Sequence, residues 1–224
     1  MSSTLLKVVD TLFRSRTILL EMLQLRGYNT KDFDHFTQDD ISTMMNQSKN
    51  QDDVNTGPLD ILLEKSDKSK IYVKYKLEKF KQVNKLDKQV VEIFTDLLNK
   101  EKDTLVLLYI DRVEFKNSKE NKVETYVNDK FISDKYFIQI FGLENFLFNP
   151  TKHVIVPQHR IMTANEIEEM MKSNNIKDVS KLPTIRREDP TAKFIGMKPG
   201  DVCEITILSP HSGSYKKYRL CTKI

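Results

Sequence analysis

Tryptophan is absent from this 224-residue chain, and cysteine and glycine are scarce, with two and six copies. Two cysteines, Cys203 and Cys221, supply neither a disulfide framework nor a four-ligand zinc site. Both are expected reduced and packed, in a cytosolic or nuclear setting. No apolar run approaches the roughly 20 residues that span a bilayer, so no membrane partner is expected. The opening MSSTLLKVVDTLFRSR lacks the unbroken apolar stretch and small-residue cleavage site of a secretion signal. A strong charge of one sign is missing too. The 36 basic and 32 acidic residues leave a net charge of +4, too small by itself to demand a nucleic-acid partner. Neither G-x-x-x-x-G-K-[ST] nor G-x-G-x-x-G occurs, which leaves nucleotide binding of those kinds unsupported. None of the four histidines lies in an H-E-x-x-H pattern. His153 and His159 stand six apart around Pro157, a spacing that matches no helical or strand ligand pair. No metal and no cofactor are therefore expected on this chain.

What is present is hydrophobic periodicity. Leu5, Val9, Leu12, Leu19 and Leu23 repeat at helical spacing, with Arg16 inside the stripe and Gly27 suited to the left-handed position after the helix. Thr37 is a candidate cap for a second helix near Asp40. Residues 46–58 are polar and read as a loop. Residues 70–77 alternate, with Ile71, Val73, Tyr75 and Leu77 on one face and Tyr72, Lys74 and Lys76 on the other, which predicts a half-buried strand. Val90, Phe94 and Leu97 mark a helix face, and residues 104–110 form an apolar run expected to be a strand covered on both sides. Strand, helix, strand implies a parallel pair with a right-handed crossover. Residues 111–122 read as a charged loop, and residues 136–148 are apolar, broken by Gly142.

A boundary is expected near residue 149. Beyond it, His153–Pro157 reads as a short strand. Thr163 and Glu166 form a capping box, flanked by Met162 and Ile167 as a hydrophobic staple, for a helix to about Lys172. Asp189, Pro190 and Gly196 read as cap, first residue and stop of a very short helix. Lys198–Asp201 is a turn, and residues 202–208 and 215–221 are two strands of a hairpin. The fold class is therefore mixed α/β or α+β.

Candidate chemistry is sparse. A βαβ core with acidic strand ends invites a metal-dependent nuclease reading on Asp111, Glu114 and Lys116, although a metal would need a further acid from elsewhere. The segment from Lys65 to Lys88 carries nine lysines against three acids, a local charge of +6 that leaves −2 for the remainder. Lys74 and Lys76, with Tyr72 between them, are candidates to follow DNA phosphates, as are Lys116, Lys119 and Lys122 in the charged loop. The alternative is that these lysines shield an exposed strand face and keep the chain soluble. A stand-alone DNA-binding transcription factor is accordingly the second functional reading.

From HVIVPQH onward, and then through LPTIRREDPTAKFIGMKPGDVCEITILSPHSGSYKKYRL, the sequence resembles the common small subunit of eukaryotic-type DNA-directed RNA polymerases, a family with archaeal members. The matching positions include Pro157, Pro183, Asp189, Pro190, Gly196, Lys198, Gly200, Gly213, Tyr215, Tyr218 and Arg219. This resemblance implies that residues 149–224 are a small α/β assembly domain that docks on the largest polymerase subunit. It implies that residues 1–148 are a jaw domain near downstream duplex DNA. That half, from Leu12-Phe13-Arg14 to Arg26-Gly27-Tyr28, is similar to the family's eukaryotic jaw, whose βαβ core is nuclease-like without a site. The archaeal members lack it, so a eukaryotic or eukaryotic-virus source is implied. Where the family's jaw carries a Thr-Pro-Ser-Ala loop, this chain has the longer EFKNSKENKVETY. The resemblance implies a non-catalytic chain, nuclear if cellular, and in the virion or a cytoplasmic viral factory if viral.

Overall fold

The computed structural model describes residues 3–48, 57–76, 83–109, 122–209 and 213–222, and its chain divides into two compact units, Met1–Phe148 and Asn149–Ile224. Each unit is built on one four-stranded sheet.

The first unit runs α1 (Ser3–Leu25), α2 (Gln38–Ser48), β1 (Ile61–Glu64), β2 (Lys70–Lys76), α3 (Val83–Asp96), β3 (Thr104–Tyr109), α4 (Lys122–Ser133) and β4 (Phe137–Gly142). The sheet order is β1-β2-β3-β4, with β1 antiparallel to β2 and the remaining pairs parallel. The expected parallel βαβ pair is there, and α4 with β4 repeats it once more. Leu86, Val90, Ile93 and Phe94 of α3 pack with Val123, Tyr126 and Val127 of α4 over Tyr72, Leu105, Leu107 and Ile138 of the sheet. Burying each of these large side chains is worth about 2 kcal/mol.

α1 owes its burial to the stripe of Val9, Leu12, Leu19 and Leu23. Arg16, inside that stripe, is buried. It donates from Nη1 to the Leu59 carbonyl at 3.0 Å, and its guanidinium lies 5.3 and 5.9 Å from the ring centroids of Phe36 and Phe33. A planar cation between two rings is a favourable way to bury that charge. Gly27 has φ +86°, as a left-handed helix stop requires, and Thr37 accepts from the Asp40 N–H at 3.3 Å.

One expectation for this half is corrected, and two elements come in addition. β2 is not half-buried: Ile71, Tyr72, Val73, Lys74 and Tyr75 are all buried, because helices cover one face and the Arg16 side of the unit the other. The strand β1 has no sequence signature, because four residues after Gly57-Pro58 give too short an alternation. Helix α4 begins at Lys122, the last residue of the stretch read as loop, and runs through residues to which the sequence pattern assigns nothing; its apolar residues, Val123, Tyr126, Val127 and Phe131, are interleaved with a charged background that hides the period. Of the apolar run at 136–148, the first part is β4 and Leu143–Phe146 is a single 3-10 turn.

The second unit contains β5 (Gln158–Ile161), α5 (Ala164–Ser173), β6 (Thr184–Arg186), α6 (Pro190–Ile195), β7 (Val202–Ser209) and β8 (Gly213–Thr222), with sheet order β5-β7-β8-β6. Ile185, Cys203, Ile205 and Cys221 line one face of the sheet with Ala192 and Ile195 of α6. Met162, Val202 and Leu220 on the other side pack with Met170 of α5 and with Leu182. Both cysteines are free and buried, and burial pushes their thiols up, Cys203 to about 11 and Cys221 to about 12. The strand expected at His153–Pro157 is instead a turn after a 3-10 helix, Pro150–Lys152, and the strand starts one residue beyond Pro157. Among the described residues, no helix is long and apolar enough to cross a membrane.

Candidate assembly surface

The residues that carry the resemblance sit mostly at the joints of the second unit. Asp189 caps α6: its Oδ1 accepts from the N–H groups of Thr191 and Ala192 at 2.9 and 3.1 Å. Pro190 follows at the first helical position, where its missing N–H costs nothing. Gly196 stops the helix at φ +81°, a conformation that penalises any side chain with a Cβ. One turn later the Lys198 N–H donates to Asp201 Oδ2 at 2.7 Å, and Gly200 adopts φ +101°. Burial raises the Asp201 carboxyl, offset in part by the Lys198 contacts. The turn is fastened to β8, since Cys221 N donates to Asp201 O and Gly200 N to Cys221 O.

Helix α5 opens with the expected capping box. Thr163 N donates to Glu166 Oε2 at 2.8 Å, and Glu166 N donates to Thr163 Oγ1 at 3.4 Å. Glu166 also receives Arg160 at 2.7 Å. The Thr163 backbone bond, the Arg160 side chain and the Thr163 hydroxyl together hold the Glu166 carboxyl down at about 2. Arg160 bridges to Glu204, which is buried on β7, and Lys216 reaches the other Glu204 oxygen at 3.0 Å. Burial alone would raise Glu204, but its Lys216 and Arg160 partners outweigh that, and the net shift is downward. The network ties β5, α5, β7 and β8 together without needing an apolar contact.

The remaining motif positions are distributed along β8 and its neighbours. Pro157 precedes β5, and its carbonyl lies 2.7 Å from His159 Nδ1. The Pro183 carbonyl accepts from Leu220 N. Arg219 donates from Nη1 to the Thr184 carbonyl at 2.9 Å, clamping β6 to β8. Gly213 has φ +71° at the start of β8, Tyr215 is exposed, and Tyr218 is partly buried against the α5 layer. Two features escape sequence reasoning. Val154 and Ile155 are 99% and 83% exposed in their turn, and Leu208 is 80% exposed near the hairpin end. Apolar residues in a strand-like pattern signal core, and only the coordinates show that these three face outward.

The proposed DNA-contacting lysines fare differently. Lys74 is only 6% exposed; its Nζ lies 3.9 Å from the buried Asp60 carboxylate and 5.8 Å from the Tyr72 ring centroid. Asp60 is further held by Tyr72 Oη at 2.7 Å, by Tyr75 N at 2.9 Å and by Gly57 N at 2.9 Å. Lys76 donates to Gln89 of α3 at 2.7 Å. The exposed lysine face expected on this strand is therefore an inward-facing, partnered one. Lys122 is the first residue of α4, while Lys116 and Lys119 lie outside the described residues, as do Asp111 and Glu114 of the nuclease reading. Among the described residues, no group of three His, Cys, Asp or Glu could hold a metal ion.

Residues 148–221 match the family model described as RNA polymerase Rpb5, C-terminal domain. The DNA-directed RNA polymerase subunit Rpo5 of Thermococcus kodakarensis is 48% identical over 73 residues, 33% of this chain and 88% of the relative. The corresponding subunit of Thermococcus onnurineus is 45% identical over the same shares. The DNA-directed RNA polymerases I, II, and III subunit RPABC1 of Caenorhabditis elegans is 37% identical over 89 residues, 40% of this chain and 42% of the relative. With its joints, hairpin and matched span all falling on the second unit, the chain belongs to the Rpb5/Rpo5 family of DNA-directed RNA polymerase subunits and is a non-catalytic member of it.

Proposed function

We propose that the second unit, Asn149–Ile224, docks the chain on the largest subunit of a multisubunit DNA-directed RNA polymerase, and that the first unit forms part of the lower jaw near downstream duplex DNA. The observation that carries the reading is the coincidence of the matched span, 148–221, with one compact unit. Its motif residues build a cap, two turns and a clamped hairpin, which is the construction of a docking module. Nucleotide addition then belongs to other subunits, and this chain supplies shape and contacts and binds no cofactor of its own. Its place is the nucleus in a cell, or the virion or viral factory if the source is a virus. Contact with DNA does not run through Lys74, whose charge is already used inside the fold.

Truncation separates the two roles. Removing residues 149–224 abolishes incorporation into the polymerase. Removing residues 1–148 leaves incorporation intact and weakens the retention of downstream duplex DNA by the assembled enzyme, most visibly as salt is raised. Incorporation that survives loss of 149–224 reverses the assignment.

A further inference from the structure

β8 is ten residues long, yet its two sides are unequally used. On the inner side it pairs with β7 without a bulge, from Val202↔Leu220 to Ser209↔Gly213. On the outer side β6 covers it only from Leu220 to Thr222. The hydrogen bonds fix which groups point outward. Cys221 exchanges bonds with Asp201 and Gly200 on the inner side, whereas Leu220 N donates outward to Pro183 O. Because inward and outward groups alternate along an antiparallel strand, the N–H and C=O groups of Ser214, Lys216 and Tyr218 face outward, and among the described residues they meet no backbone partner. Gly213 through Lys217 are exposed, so among the described residues no helix lies over this edge. The sheet's opposite edge, β5, is four residues long and is entered by Pro157, which shortens what it can offer a partner.

An open edge of this kind is a template for strand addition, with main-chain bonds giving affinity and alternate side chains giving choice of partner. The flanking charge says which partner. β8 carries Lys216, Lys217 and Arg219 and no acid. Lys216 is engaged by Glu204, but Lys217 stands over the Tyr215 ring at 5.5 Å and Arg219 holds only a carbonyl, so neither has a carboxylate partner among the described residues. We propose that an extended, acid-bearing segment of the largest polymerase subunit adds as a strand to the outer edge of β8 along Ser214–Tyr218. This rests on the docking reading above and specifies its geometry.

Residue-resolved amide hydrogen exchange on the full chain, free and bound to the purified largest subunit, tests it. Strand addition slows exchange at Ser214, Lys216 and Tyr218 at least tenfold on binding. The amides of Lys217 and Arg219, already paired with β7, change little. The charge-reversing Lys217→Glu leaves the ladder intact and weakens binding about threefold at moderate salt, as a rim charge does. Binding without protection of the three outward amides overturns strand addition while leaving the docking reading standing, and the lysines then serve only to guard the edge. An unchanged affinity for Lys217→Glu overturns the acidic character of the segment. No binding to the largest subunit overturns both readings.

Discussion

At the scale of single residues, the fold leans on a few positions whose chemistry admits little substitution. Gly200 has φ +101° with nothing within 4 Å of where a Cβ would stand, so an alanine there meets backbone strain and no clash. Gly200→Ala is expected to lower unfolding stability by about 1 kcal/mol, and Gly196→Ala, at φ +81°, by a similar amount; urea denaturation measures both. Lys74 presents the opposite case. Lys74→Met leaves the buried Asp60 carboxylate without its cation, though still with three hydrogen-bond donors, and is expected to cost about 2 kcal/mol of stability. A variant that kept its stability and lost DNA affinity would instead return Lys74 to a surface role. The sequence pattern misplaces this residue for a physical reason. Alternation shows which side chains share a face, and it cannot show that both faces are covered. Arg16 is legible as an intrusion in an apolar stripe, but its setting between Phe33 and Phe36 is not, since those rings come from a different segment.

At the scale of elements, caps and turns are legible and short strands are not. The capping box at Thr163, the Asp189-Pro190 start and the Gly196 stop are local signals, complete within a few residues. β1, of four residues, is too short to show an alternation even though its partner β2 lies just beyond the turn, and β6, of three residues, exists only through pairing with the distant β8. Asp189→Ala removes two bonds to the first turn of α6 and is expected to destabilise the second unit by about 1 kcal/mol, read by its urea midpoint. The capping box also makes α5 acid-sensitive. Glu166 titrates at about 2 in the folded chain, below its ordinary value of 4.5. A depressed carboxyl stabilises the fold above the unfolded value and loses that contribution as pH falls through the folded one. The chain should therefore lose stability between about pH 5 and pH 2, and Glu166→Gln should show a shallower loss over that window in thermal melts. Parallel slopes for the two proteins would remove Glu166 from the acid response.

At the scale of the whole molecule, the chain consists of two units built on separate sheets. The second is recognisable because its joints are concentrated in one continuous stretch, from Pro157 to Arg219, where side-chain identity is fixed by backbone geometry. The first carries its constraints in packing, which many apolar residues satisfy equally well, and its candidate DNA residues depend on an exposure that the fold does not provide at Lys74. The most direct measurement is the composition of what the full chain brings with it. Affinity-tagged chain, purified from its source under native conditions and weighed by native mass spectrometry, should appear in equal stoichiometry with the two largest subunits of an RNA polymerase. Recovery of the chain only as a free 26.2 kDa monomer would contradict the account.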